Sequence, residues 1–213
     1  MSTIAASPRW LAILALLTIA VAGSRAAVFE TRVGRLALVD EWERTALAFG
    51  QEVDDARYAE LRKLSTHAVA YGIGTALLYG PVLTLAIASG VFLLFGSADQ
   101  PKASFTQVCA IVSYASVPLA LRQIVASVST YVSESTASAT SIGTWWPTLS
   151  EASATARFAG ALDLFVIWWV ILLAVGIGVL YQRNARRLAV TFLGAYAGLA
   201  LLLAGTMAVL GGT

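Results

Sequence analysis

From Ala68 to Phe95 the chain runs through 28 residues without one charged side chain. A bilayer crossing takes about 20 apolar residues per helix, so this run is longer than a span requires and must tilt or protrude. The same bias holds elsewhere. Of the 26 acidic and basic side chains, 14 lie between Glu30 and Lys63, and only 12 serve all the rest of the 213 residues. With 58% hydrophobic and 12% charged residues, the chain holds about half the charge of an ordinary globular protein. It is a polytopic membrane protein. A net charge of +2 without a basic stripe excludes a nucleic-acid binder, and the apolar content excludes a soluble enzyme and a disordered chain. The single cysteine, Cys109, excludes an intramolecular disulfide and a cysteine metal cluster.

Five apolar runs emerge. The first, Trp10 to Phe29, is interrupted by Ser24-Arg25 and reads as a cleavable signal peptide or an uncleaved anchor. Arg25 beside the bond to be cut and the weak basic start favour the anchor. Glu30 to Lys63 is the one water-soluble segment, with Asp54 and Asp55 placed to cap a helix over Arg57–Leu64 that continues into the membrane near His67. In the second run, Ala68 to Phe95, Gly80-Pro81 removes a backbone donor and predicts a kink. A turn at Ser97–Lys102 leads to the third run, from Ala103 through Leu121 to about Tyr131. Ser133–Ala156 is a Ser/Thr/Ala-rich loop whose Trp145-Trp146 pair suits the headgroup zone. The fourth run, Phe158 to Tyr181, carries Asp163 inside it, and the fifth, Leu188 to Leu210, follows the Arg183–Arg187 turn.

The expected fold is therefore an all-α integral membrane protein, a compact five-helix transmembrane bundle. It divides into a first helix (1–29), an extracytoplasmic helical segment (30–65) and a four-helix transmembrane domain (66–213). Five spans place the termini on opposite sides. Counting Lys and Arg alone slightly favours an outer N-terminus. The anchor-like first span and the short turn holding Arg183, Arg186 and Arg187 favour a cytoplasmic N-terminus and an extracytoplasmic C-terminus.

Chemical signatures are sparse. His67 is the one histidine, with only Asp163 as an intramembrane carboxylate to help it hold a metal, so it reads as an interfacial residue. There is no Gly-x-Ser-x-Gly elbow, no second histidine for a triad, no HExxH and no phosphate loop ending in Lys-Ser/Thr. No catalytic residue, metal or cofactor is expected. Small-residue pairs four apart, Ala70/Gly74, Ala86/Gly90 and Gly194/Gly198, permit close helix packing, within the bundle or against another subunit. Phe165, Trp168 and Trp169 form an aromatic stripe that reads as packing or lipid contact.

Intramembrane charge is the stronger signal. Arg122 and Asp163 each interrupt an apolar helix. Both fall near the same end of consecutive helices, so a buried ion pair is expected. Trp42 and Phe49 are the apolar anchors of the soluble segment, suited to docking a partner or to capping the bundle.

Phe105-x-x-Val108 with Ser113-Tyr114-Ala115-Ser116-Val117-Pro118 resembles the third-helix signature of the Yip (Ypt-interacting protein) membrane-domain family. Leu162-Asp163-Leu164-Phe165-x-x-Trp168, followed by Leu172-Leu173-Ala174-Val175-Gly176, resembles its fourth-helix signature, and Ser141-Ile142-Gly143-Thr144 is similar to a motif of bacterial members. The resemblance covers roughly Ala68 to Leu210. It implies a five-helix bundle with a cytosolic N-terminus and no catalytic residue. Eukaryotic relatives bind small GTPases through a long N-terminal region, from which this chain departs with about nine residues before its first helix. Bacterial members include accessory subunits of ABC-type exporters with an extracytoplasmic segment after the first helix.

The resulting expectation is a non-enzymatic scaffold or accessory subunit in a bacterial inner membrane. Its partners would be lipid and other membrane or periplasmic subunits, an ABC-type export complex among them. The alternative is a stand-alone transporter or channel, with Gly80-Pro81 as a broken helix and Asp163 as an ion- or proton-linked residue.

Overall fold

The computed structural model describes residues 9–96, 103–133, 140, 159–160 and 162–210, the side chains of 133 and 207–210 excepted. The Ser97–Lys102 turn, the Ser141–Thr144 motif and the Trp145-Trp146 pair lie outside the described residues.

Helix α1, Trp10–Glu30, ends in a one-residue corner at Thr31, whose backbone is extended. The Thr31 hydroxyl accepts from the Gly34 N–H at 3.0 Å and donates to the Val28 carbonyl at 2.7 Å, so one side chain both caps α2 (Arg32–Ala48) and closes α1. A Cβ on Gly34 would stand 2.1 Å from the Val28 carbonyl oxygen. Only glycine lets the chain reverse this tightly. Past α2, Gly50 takes a positive φ of 72° and turns the chain toward α3, Asp55–Leu64. Asp54 caps α3 by accepting from the Arg57 N–H at 2.8 Å.

A 3-10 turn at Ser65–His67 carries the helix directly into α4, Ala68–Phe95, giving 41 joined residues. Helix α4 runs through Gly80-Pro81 as one continuous helix. Next come α5, Phe105–Ala115, and α6, Val117–Ser133. Ser104 and Gln107 form a capping box at the start of α5. The interruption at Ser116 follows from Pro118, which has no N–H to continue the ladder and sits in the first turn of α6, where that loss is tolerated. Helices α7, Leu164–Leu180, and α8, Ala185–Leu210, complete the described elements.

The expected five-helix transmembrane bundle is corrected here. Among the described residues the helices join into six stretches, of which four are long and apolar enough to cross a membrane: Trp10–Glu30, Asp55–Phe95, Phe105–Val132 and Ala185–Thr206. The fourth run was expected to be helical from Phe158. Asp163 instead stands outside the helix as its N-cap, and α7 keeps only 17 residues. That is about 26 Å of helix, short of a hydrocarbon core of about 30 Å. Opposite placement of the termini followed from five spans and loses that ground.

Packing is built on small residues. The buried positions of α4 are Ala68, Gly72, Ala76, Thr84, Ala88 and Val91, and Gly80 falls in the same register, where a Cβ would meet the Thr18 hydroxyl at 3.4 Å. This stripe packs on Leu14, Thr18, Ala22 and Phe29 of α1. Lipid supplies no hydrophobic drive for helix association, so close backbone approach must supply it through dispersion. The pairs singled out in the sequence sit elsewhere: Cβ atoms on Gly74, Gly90, Gly194 and Gly198 would meet nothing within 4 Å.

The two ends of the bundle differ. At one end Val108, Cys109, Val112, Leu173, Ile177 and Tyr181 form an apolar core, with Trp10, Phe95 and Phe192 packed against it. At the other, Phe29, Leu38 and Ala68 hold the α2–α3 hairpin onto α1 and α4. Large apolar side chains such as Leu93 and Leu94 stay about three-quarters exposed, the pattern of a lipid-facing surface.

Candidate functional site

Most of the polar chemistry within the bundle lies toward the hairpin end. Asp163 is 4% exposed and precedes α7 with extended backbone. One carboxylate oxygen, Oδ1, accepts from the Phe165 and Val166 N–H groups at 2.9 and 3.3 Å. These are donors that a helix start leaves without intrahelical partners. The other, Oδ2, accepts from Arg122 Nε of α6 at 2.6 Å and from the Thr140 hydroxyl. The Asp163 N–H donates to the Tyr196 hydroxyl of α8 at 3.0 Å, and the Leu164 N–H to the Thr140 carbonyl at 3.3 Å. One residue thus joins α6, α7, α8 and the segment around Thr140.

The pair is asymmetric. The Asp163 side chain is 6% exposed and that of Arg122 40%. Asp163 takes four donors on a group with about four acceptor sites, so the carboxylate is saturated by the protein. Its chemistry is that of an electrostatic staple. The negative charge also lies at the start of α7, where the helix dipole favours it.

The sequence reading favoured an anchor helix running through Arg25 but counted only Arg122 and Asp163 as intramembrane charges, so a second intramembrane cation was missed. Helix α1 continues through it, and Arg25 Nη1 donates to the Thr75 hydroxyl of α4 at 2.8 Å. Thr75 in turn donates to the Tyr71 carbonyl at 2.7 Å. The return of apolar residues at Ala26–Phe29 was the available signal, since a helix continuing to Phe29 leaves Arg25 within it. Beside it, the Ser127 hydroxyl of α6 lies 3.5 Å from that of Ser24. From Trp10 to Arg25 is about 23 Å, and from Phe105 to Arg122 about 26 Å, at about 1.5 Å per residue. The two arginines therefore stand at similar depth.

Outside the spans, Trp42 and Phe49 line one pocket of about 340 Å³ with Val53, Arg57 and Leu61. They are not equivalent. Trp42 stacks edge-on against Tyr71 of α4, ring centroids 5.4 Å apart, and packs on the hairpin's own core, whereas Phe49 is 46% exposed. Arg57, on the pocket wall, pairs with Glu60. The aromatic stripe on α7 also divides: Trp169 packs against the apolar core and Trp168 is 45% exposed. No group of three or more His, Cys, Asp and Glu side chains placed to hold a metal ion stands among the described residues.

Apolar helices of spanning length, packed through a small-residue stripe and stapled by an intramembrane ion pair, define an all-α polytopic membrane protein. The chain belongs to the Yip1 domain family, whose pattern it matches over residues 1–208. Comparison with curated proteins and with solved structures returned no significant match.

Proposed function

We propose that this membrane-embedded Yip1-domain protein is a non-catalytic scaffold or accessory subunit, and that the α2–α3 hairpin docks its partner. The observation that supports this best is the pocket at Trp42 and Phe49. It lies in the one strongly charged, water-soluble segment and leaves a large aromatic side chain exposed. Exposed aromatics beside a pocket are the usual anchors of protein interfaces. The likeness of the arrangement, a first helix followed by a soluble segment, to accessory subunits of ABC-type exporters makes an export complex in a bacterial inner membrane the proposed partner. The hairpin is then extracytoplasmic and the N-terminus cytoplasmic.

The transporter alternative draws no support from the site. Asp163 spends its acceptor capacity on four protein donors, and α4 runs through Pro81 as one helix.

Because Trp42 also supports the fold, Phe49→Ala is the decisive variant. A photo-crosslinking amino acid at Phe49 should capture a co-purifying subunit from native membranes, and Phe49→Ala should lose that subunit while keeping its own yield and helicity. Full partner retention by Phe49→Ala would remove the hairpin from the interface.

A further inference from the structure

Charge is sorted along the α2–α3 hairpin. Its inner part, Glu30–Val39 with Leu61–His67, holds Arg32, Arg35, Arg62 and Lys63 against a single acid, Glu30. Its outer part, Asp40–Glu60, holds seven acids against Arg44 and Arg57. The fold gives this order a direction. Phe29, Leu38 and Ala68 pack in one cluster, so the end of α1, the start of α4 and the base of the hairpin share one level. The spans containing α1 and α4 both leave the membrane there. Arg32 follows the Thr31 corner directly, and Arg35 Nη1 reaches back to the Glu30 carbonyl at 2.8 Å. Arg62 and Lys63 lie in the last turn of α3, about 8–10 Å above Ala68. A headgroup layer about 5–8 Å thick covers each face of the hydrocarbon, and long cationic side chains reach into it. Arg32, Arg62 and Lys63 are exposed, as is Leu64 beside them, so a phosphate meets these cations from outside without entering the bundle.

We propose that Arg32, Arg35, Arg62 and Lys63 form a collar at the base of the hairpin that binds the headgroups of anionic phospholipids. The outer acids do not cancel it. Asp54 and Asp55 stand about 14 Å of helix beyond Leu64, and charges in water are screened over about 8 Å at physiological salt. At that distance they keep the outer half off an anionic surface without weakening the contact at the base. The hairpin is thereby held upright, with the Trp42 and Phe49 pocket directed away from the lipid.

The test is native mass spectrometry of the full chain, released from nanodiscs of equal phosphatidylglycerol and phosphatidylcholine. One cation near an anionic surface strengthens binding about fivefold, so phosphatidylglycerol should be retained over phosphatidylcholine by about fivefold or more. Arg62→Gln with Lys63→Gln should remove most of that preference. Both side chains are exposed, and the buried Leu61, Ser65 and Ala68 face of the helix is untouched, so the variant keeps its fold. Arg62→Lys, which preserves the charge, should behave as the parent. A benzoylphenylalanine in place of Leu64 gives a second reading with every charge retained. Its lipid adducts should favour phosphatidylglycerol at about 0.1 M salt and lose the preference at about 1 M, where screening shortens to about 3 Å. Equal retention of the two lipids, or a preference unchanged in Arg62→Gln with Lys63→Gln, overturns the proposal.

Discussion

Asp163 combines an N-cap and an ion pair in one carboxylate, and substitutions can separate them. In Asp163→Asn the side-chain oxygen still accepts from Phe165 and Val166, because Asn caps a helix about as well as Asp, but the charge opposite Arg122 is gone. A hydrogen bond to a charged group contributes about 1.5–3 kcal/mol. Arg122, 40% exposed, can relax toward headgroups, which puts the expected loss at the lower end, about 1.5 kcal/mol. Asp163→Leu also removes the cap, adding about 1 kcal/mol. Arg122→Leu strands a carboxylate that is only 6% exposed. Breaking a buried pair from one side costs about 3–5 kcal/mol, and the remaining donors to Asp163 hold this loss near 3 kcal/mol. The double variant Arg122→Leu with Asp163→Asn should then lose about 1.5 kcal/mol less than the sum of its singles. The assay is reversible unfolding in mild detergent by increasing dodecyl sulfate, followed by tryptophan fluorescence. Additivity within about 0.5 kcal/mol, or an Asp163→Asn protein as stable as the parent, would refute the staple.

Gly72→Ala should cost about 1–3 kcal/mol in the same assay, because its methyl meets the buried Phe29 ring. Gly74→Ala, two residues away on the open face, should instead gain about 0.5–1 kcal/mol through helix propensity. Gly34→Ala should cost more than Gly72→Ala, since the obstacle is the Val28 carbonyl rather than a side chain that can shift; a smaller loss would mean that the corner opens easily. Orientation is read by thiol labelling of intact cells after Cys109→Ala. Gln51→Cys in the hairpin should label and Asn184→Cys in the α7–α8 turn should be protected, because the two sit at opposite ends of the bundle. The reverse pattern would invert the proposed orientation.

Hydropathy alone determined the long helices, because the absence of charge over Ala68–Phe95 and the return of apolar residues after Arg25 leave no other stable state in lipid. The Asp54 cap and the depth match of Arg122 with Asp163 were legible too, since caps and depth depend on local spacing along one chain. Which small residues face inward was not legible. In an Ala- and Gly-rich chain several registers four residues apart coexist, and only the crossing of α1 over α4 selects Ala68–Gly72–Ala76–Gly80–Thr84 and leaves Gly74 and Gly90 open. The span count failed at Asp163 for a related reason. An apolar run with one carboxylate reads as an interrupted helix, but hydrogen bonds with Arg122, Thr140 and Tyr196, far apart in sequence, hold that residue outside the helix and shorten α7. That Arg25 meets Thr75 and, among the described residues, no carboxylate is likewise a tertiary fact: how a charge within a bundle is balanced depends on what the neighbouring helices bring to it.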